Sequence, residues 1–86
     1  MPSVLRIQPA DNVAVALEPL AAGTAVSLPG LSVTALEDIP AGHKIALQDI
    51  AEGENIIKYG FPIGHARHAI KQGSYLDHEE IGRAHV

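Results

Sequence analysis

The side chains with the most chemical potential in this 86-residue chain lie from residue 43 onward. His43 and Lys44 directly follow a glycine, within Ile39-Pro-Ala-Gly-His-Lys-Ile-Ala-Leu47. A side chain beside a fixed turn projects from a constrained backbone, which suits contact with a substrate or a metal ion. Lys58 and Tyr59 lead into Gly60. A lysine at a strand end offers an anionic substrate a point charge on a flexible stem. Each of these has an ordinary alternative, a solvated His-Lys turn or a lysine stem laid over the core. His65-x-x-His68 would place two imidazoles on one face of a helical turn, which is a weak metal pattern by itself. Asp77 and His78, followed by Glu79 and Glu80, offer oxygen and nitrogen donors, either as metal ligands or as a solvated end. Tyr59 and Phe61 are expected in the core, because the chain holds only three aromatic residues. There is no nucleophile elbow, phosphate-cradling loop, dinucleotide fingerprint or His-Glu-x-x-His. By residue chemistry alone, the chain is not a self-sufficient enzyme.

The elements that must position these groups are short. Gly and Pro make up fourteen of the residues and recur throughout, the punctuation of strands and tight turns. Residues 4–8 read as a first strand. Residues 12–17 read as a strand covered on both faces, and residues 31–36 and 55–59 as further strands. Only residues 66–72 could form a short helix, ended by Gly73. Leu20-Ala-Ala-Gly23, Ile39-Pro-Ala-Gly42, Ile50-Ala-Glu-Gly53 and Ile70-Lys-Gln-Gly73 share one pattern. It reads as a turn in which the apolar residue anchors beneath and glycine takes a positive φ, with Pro40 at the second corner of its own turn. The expected fold class is therefore mostly β, short strands and tight Gly turns with at most one short helix.

Composition narrows the function. Of forty apolar residues thirteen are Ala, leaving twenty-three Val, Ile and Leu for a thin core. No cysteine is present, which excludes disulfides and thiolate zinc sites. The net charge of −4 argues against a nucleic-acid backbone as partner. No apolar run approaches the ~20 residues of a membrane span, and no secretory signal opens the sequence, so no membrane partner is expected and the expected compartment is the cytoplasm.

Residues 81–86, Ile-Gly-Arg-Ala-His-Val, change character abruptly and match, codon for codon, the product of a common sequencing adapter. The expectation is one natural domain over residues 1–80, truncated at its C-terminal end, with residues 81–86 as translated adapter and the natural chain continuing beyond.

Asp11-Asn-Val-Ala-Val-Ala-Leu17, Gly42-His-Lys-Ile-Ala-Leu47 and Ile57-Lys-Tyr-Gly-Phe-Pro-Ile-Gly64 together resemble the N-terminal SAF-type domain of the altronate and galactarate dehydratases, over about residues 5–75. The resemblance implies a β-clip fold. It also implies the role of an N-terminal part of a hydro-lyase that removes water from a sugar acid to give a 2-keto-3-deoxy product. The implied cofactor is a divalent metal, Fe2+, bound mainly by a larger catalytic domain or subunit, which is the implied partner together with the sugar-acid substrate. His43, Lys44 and Lys58 match the family's blocks and are the expected substrate contacts. Where the family continues with an aromatic, an apolar residue and His-x-His-Asn, this chain has Tyr75, Leu76, Asp77 and His78, so Asp77 and His78 are the metal candidates that pattern leaves. The chain alone is expected to be inactive. The alternatives are the small subunit of a split dehydratase or sulfo-lyase, and a non-catalytic SAF-type binding or assembly module.

Overall fold

In the computed structural model, which describes residues 4–5, 10–77 and 81–83, every regular element among those residues is a strand. In chain order they are β1 (Val4–Leu5), β2 (Val13–Ala16), β3 (Ala25–Leu28), β4 (Leu31–Thr34), β5 (Lys44–Ala46), β6 (Asn55–Lys58), β7 (Phe61–Ala66), β8 (Tyr75–Leu76) and β9 (Ile81–Arg83). All pairings are antiparallel. They form a four-stranded sheet in the order β1-β2-β5-β8, the hairpin β3-β4, and a three-stranded sheet β6-β7-β9. The expected mostly-β fold is therefore what the chain adopts.

The four-stranded sheet divides two apolar cores. Successive side chains of a strand point to opposite faces. On β2, Ala14 and Ala16 join a core with Leu20, Val26, Val33, Ala35, Ile39, Ile45 and Leu47. Val13 joins the other core with Ala46, Ile50, Ile56, Ala66, Ile70 and Leu76. Each core is closed by one hairpin, the first by β3-β4 through Val26 and Val33, the second by β6-β7 through Ile56 and Ala66. This is why Val13–Ala16 lack the polar alternation of a half-exposed strand, whereas Leu17, expected in the same strand, lies outside it and is exposed. Full burial of a Val, Leu or Ile side chain contributes about 1.5–3 kcal/mol.

The four apolar-x-x-Gly turns hold the same place in the two halves. Leu20, Ile39, Ile50 and Ile70 are all buried. They pair in two isolated bridges, Leu20 with Ile39 and Ile50 with Ile70. Gly23, Gly42, Gly53 and Gly73 have φ of 89°, 82°, 83° and 89°. Each is the third corner of a turn closed by a backbone hydrogen bond, from Thr24 to Ala21, His43 to Pro40, Glu54 to Ala51 and Ser74 to Lys71. That matches the glycine corner of a type II turn. It also corrects one detail: Pro40 accepts the closing bond and so stands at the first corner of its turn, not the second.

The helix expected over residues 66–72 does not form. Ala66 ends β7, and its N–H donates to Glu54 O at 2.9 Å, while the Ile70 N–H donates to Ile50 O at 2.8 Å. Seven residues are too few for a self-supporting helix. The apolar spacing of Ala66 and Ile70 is satisfied instead by delivering both to the second core.

Candidate functional site

Lys44 opens β5 and pairs with Val15 on one side and Leu76 on the other. It is a strand residue and not part of a loop, and its stem is half-buried. Burial, and after it the positive charge of Lys58, hold its amine below the ordinary lysine value. Lys58 closes β6, half-buried, with its Nζ 4.9 Å from the centre of the Tyr59 ring, a cation–π distance. The two amines therefore share one field, and among the described residues neither is ion-paired.

The turn beyond Lys58 is strained. Tyr59 has φ 57° and Gly60 φ 80°, consecutive left-handed residues joining β6 to β7. Such a two-residue hairpin turn normally takes Asn-Gly or Asp-Gly. A tyrosine in this region costs about 1–2 kcal/mol and persists where surrounding contacts fix it. Asp11, 3% exposed, accepts a hydrogen bond from the Gly60 N–H at 2.7 Å. Asn12, 4% exposed, accepts from the Ile57 N–H at 2.7 Å through Oδ1 and donates from Nδ2 to Asn55 O at 2.9 Å. The head of β2 thus clamps β6 and the turn that carries Lys58. Sequence reading missed Asp11 and Asn12 as positioning residues. The available signal was two adjacent polar residues at the head of an otherwise apolar strand, since buried polar groups require partners.

His43 is exposed and takes a different partner. Its Nδ1 lies 3.1 Å from the Tyr75 hydroxyl, and the two rings meet edge to face, 5.2 Å between centres at 84°. Tyr75, on β8 opposite Ile45, packs against the first core. Alternation along β5 gives Lys44 the side of Ala46 and His43 the side of Ile45, so the two neighbours lean to different sides of the sheet. Lys58 thus lies within electrostatic reach of Lys44, and His43 sits beside Tyr75.

Two other expectations change. Phe61 is 72% exposed and Tyr59 38% exposed, so neither is a core residue. Ile56 and Ile63 fill the space below the hairpin instead, within and against the second core. His65 lies in β7 and His68 in the bend after it, with its Nδ1 3.1 Å from Ala69 O, so no helical turn pairs the imidazoles. Asp77 follows β8, half-buried, and His78 lies outside the described residues. Among the described residues no three His, Cys, Asp or Glu side chains converge on a point that could hold a metal ion. These residues do not supply a ligand set for the implied divalent metal. Residues 81–83 pair with Gly64, His65 and Ala66 of β7. No helix among the described residues is long and apolar enough to cross a membrane.

Among the described residues, an all-strand arrangement around two apolar cores fits the mostly-β fold that the sequence resemblance implies. A profile of the altronate/galactarate dehydratase SAF domain matches residues 2–84, and the chain belongs to that family. It is 51% identical over 72 residues to an altronate dehydratase of Escherichia coli (strain K12), covering 84% of this chain and 14% of that protein. It is 45% identical over 76 residues to an altronate dehydratase of Bacillus subtilis (strain 168), covering 88% of this chain and 15% of that protein. The chain thus spans about one seventh of the length of these relatives.

Proposed function

We propose that this chain is the SAF-type part of a cytoplasmic sugar-acid hydro-lyase of the altronate or galactarate dehydratase type, inactive alone, which supplies substrate contacts to a larger catalytic part. The observation that carries this reading is the pair Lys44 and Lys58: two lysines in one field, one partly desolvated, with no carboxylate partner among the described residues. An unpaired, partly buried ammonium next to a like charge is unfavourable until an anion joins it. An anionic sugar acid bound in that field would offset the positive charge of both amines. Dehydration requires removal of a proton α to the acid's carboxylate and departure of a β-hydroxyl, and positive charge by the carboxylate stabilises the enolate-like species between. The larger part is proposed to hold the divalent metal and the acid–base groups, since the described residues of this chain form no ligand set.

The test places Lys44→Ala and Lys58→Ala separately in the full-length protein and assays altronate and galactarate with ferrous iron supplied. Each variant is expected to lose at least tenfold in kcat/KM, about 1.4 kcal/mol of barrier. Wild-type rates for both variants would remove the lysine pair from the site.

A further inference from the structure

The contact between His43 and Tyr75 bears on what His43 can do. A neutral imidazole has one N–H and one bare nitrogen, and the contact at 3.1 Å admits two arrangements. In one, the Tyr75 hydroxyl donates to a bare Nδ1, and Nε2 carries the hydrogen. In the other, Nδ1–H donates to the phenol oxygen, and Nε2 is bare. Imidazole takes up a proton with a pKa of ~6.5, and a phenol gives one up only near ~10. A ring nitrogen is thus the better acceptor of the two and the phenol the natural donor. Tyr75 is itself fixed, because β8 pairs it with Ile45 and it packs against the first core. His43 is exposed, and its Nε2 has no hydrogen-bond partner among the described residues.

We propose that Tyr75 is a positioning residue that locks His43 in the Nε2–H tautomer, so that His43 serves the ligand as a hydrogen-bond donor and not as a proton acceptor. The tautomer half rests on the contact and on the acid–base order of the two groups. The ligand-facing half rests on the function proposed above, and there the Nε2–H would meet a hydroxyl oxygen of the sugar acid, away from the carboxylate assigned to the lysines. Proton abstraction is then left to groups outside this chain's His43.

The tautomer is read from two-bond proton–nitrogen spectra, at alkaline pH, of the 86-residue chain labelled with ring-15N histidine. The missing signal in His43→Gln assigns the residue. The expected pattern is a protonated Nε2 and a bare Nδ1, with the minor tautomer rising several-fold in Tyr75→Phe, which keeps the ring and removes only the hydroxyl. A dominant Nδ1–H, or a ratio that Tyr75→Phe leaves unchanged, would overturn the positioning role whatever the enzyme does. The donor role is read in the full-length protein. The amide N–H of His43→Gln can stand near the lost Nε2–H, so its kcat/KM should fall less than that of His43→Ala, by about tenfold. Equal losses would overturn the donor role, and no loss in either variant would overturn the ligand-facing half, while the parent reading stands or falls separately with Lys44→Ala and Lys58→Ala.

Discussion

The two halves of the molecule share one plan and differ at one end of it. Residues 20–43 and 50–74 each run through a glycine turn, a hairpin and a second glycine turn. Their backbone bonds correspond: Gly23 N–H to Ala35 O matches Gly53 N–H to Ala66 O, both at 2.7 Å, and Gly42 N–H to Ala16 O matches Gly73 N–H to Ala46 O, both at 2.8 Å. The hairpin tips do not correspond in chemistry. In the first, Leu28 faces Leu31 across Pro29-Gly30, in unbroken register, and both leucines pack on the core. In the second, Lys58 faces Phe61 across Tyr59-Gly60, and the register shifts between Ile56 and Ile57. Where the first half has apolar residues and a proline, the second has a cation and two exposed aromatic rings, one of them the left-handed Tyr59. The first tip contributes to packing. The second departs from local preference and is held there from outside by Asp11 and Asn12, the arrangement expected where strain serves a site.

The largest expected effect tests how equivalent the matching turns are. Gly42 and Gly73 correspond, yet a Cβ on Gly42 meets nothing within 4 Å, while one on Gly73 would run into the Thr34 carbonyl oxygen and crowd Leu36. Gly42→Ala should cost only the left-handed penalty of about 1–2 kcal/mol. Gly73→Ala adds a backbone clash and should cost about 3–5 kcal/mol in total. Denaturant unfolding of both variants measures the gap, and equal losses would mean that the halves are alike in packing as well as in hydrogen bonding.

The next effect asks whether the second tip is held from outside. Asn12→Ala removes two hydrogen bonds and leaves the Ile57 N–H and the Asn55 carbonyl without partners. Each such group costs about 1–3 kcal/mol, so a loss of about 2–4 kcal/mol is expected. Hydrogen exchange should show where it falls, with protection lost at Ile57 and Gly60 and kept at Val26 and Val33 of the first hairpin. Uniform loss across both hairpins would show that Asn12 supports the whole fold and not the second tip.

What was legible in the sequence follows the same division. The repeated apolar-x-x-Gly spacing announces all four turns, because positive φ and a buried anchor each restrict the residue that can stand there. The buried strand expected over residues 12–17 is legible over Val13–Ala16, where no polar alternation interrupts it, while Leu17 lies beyond the strand and is 56% exposed. The hairpin tip at Tyr59 is not, since tyrosine carries no local preference for a left-handed turn and the bonds that hold it come from Asp11 and Asn12, more than forty residues away. Phe61 misled for a related reason: in a chain poor in aromatic residues size suggests burial, yet its place opposite Lys58 keeps it at the surface. The chemical blocks around His43, Lys44 and Lys58 were visible as residue types. That the lysines share a field while His43 pairs with Tyr75 depends on strand alternation and sheet order, which spacing alone does not encode.

The smallest effect is electrostatic and isolates what the second tip adds. The folded chain holds Lys44 below its ordinary pKa, so on raising the pH it loses that proton before the unfolded chain does. Across the window from the lowered value up to the ordinary ~10.4, the unfolded state binds more protons, and stability rises with pH. Below the window both states are charged, and this contribution is constant at its least favourable. Lys44→Met should remove the rise, so the variant and the wild type should diverge at neutral pH, the variant being the more stable, and converge towards the alkaline end. Lys58→Leu gives the second hairpin the residue that the first carries at Leu28. It removes the lesser of the two causes and leaves burial, so the rise should shrink without vanishing. A bound carboxylate should act in the same direction, because it favours the charged amines. Stability curves of the three proteins against pH, with and without a sugar acid, compare these effects on one axis. A rise that survives in Lys44→Met would assign it to another group and separate Lys44 from the charged tip.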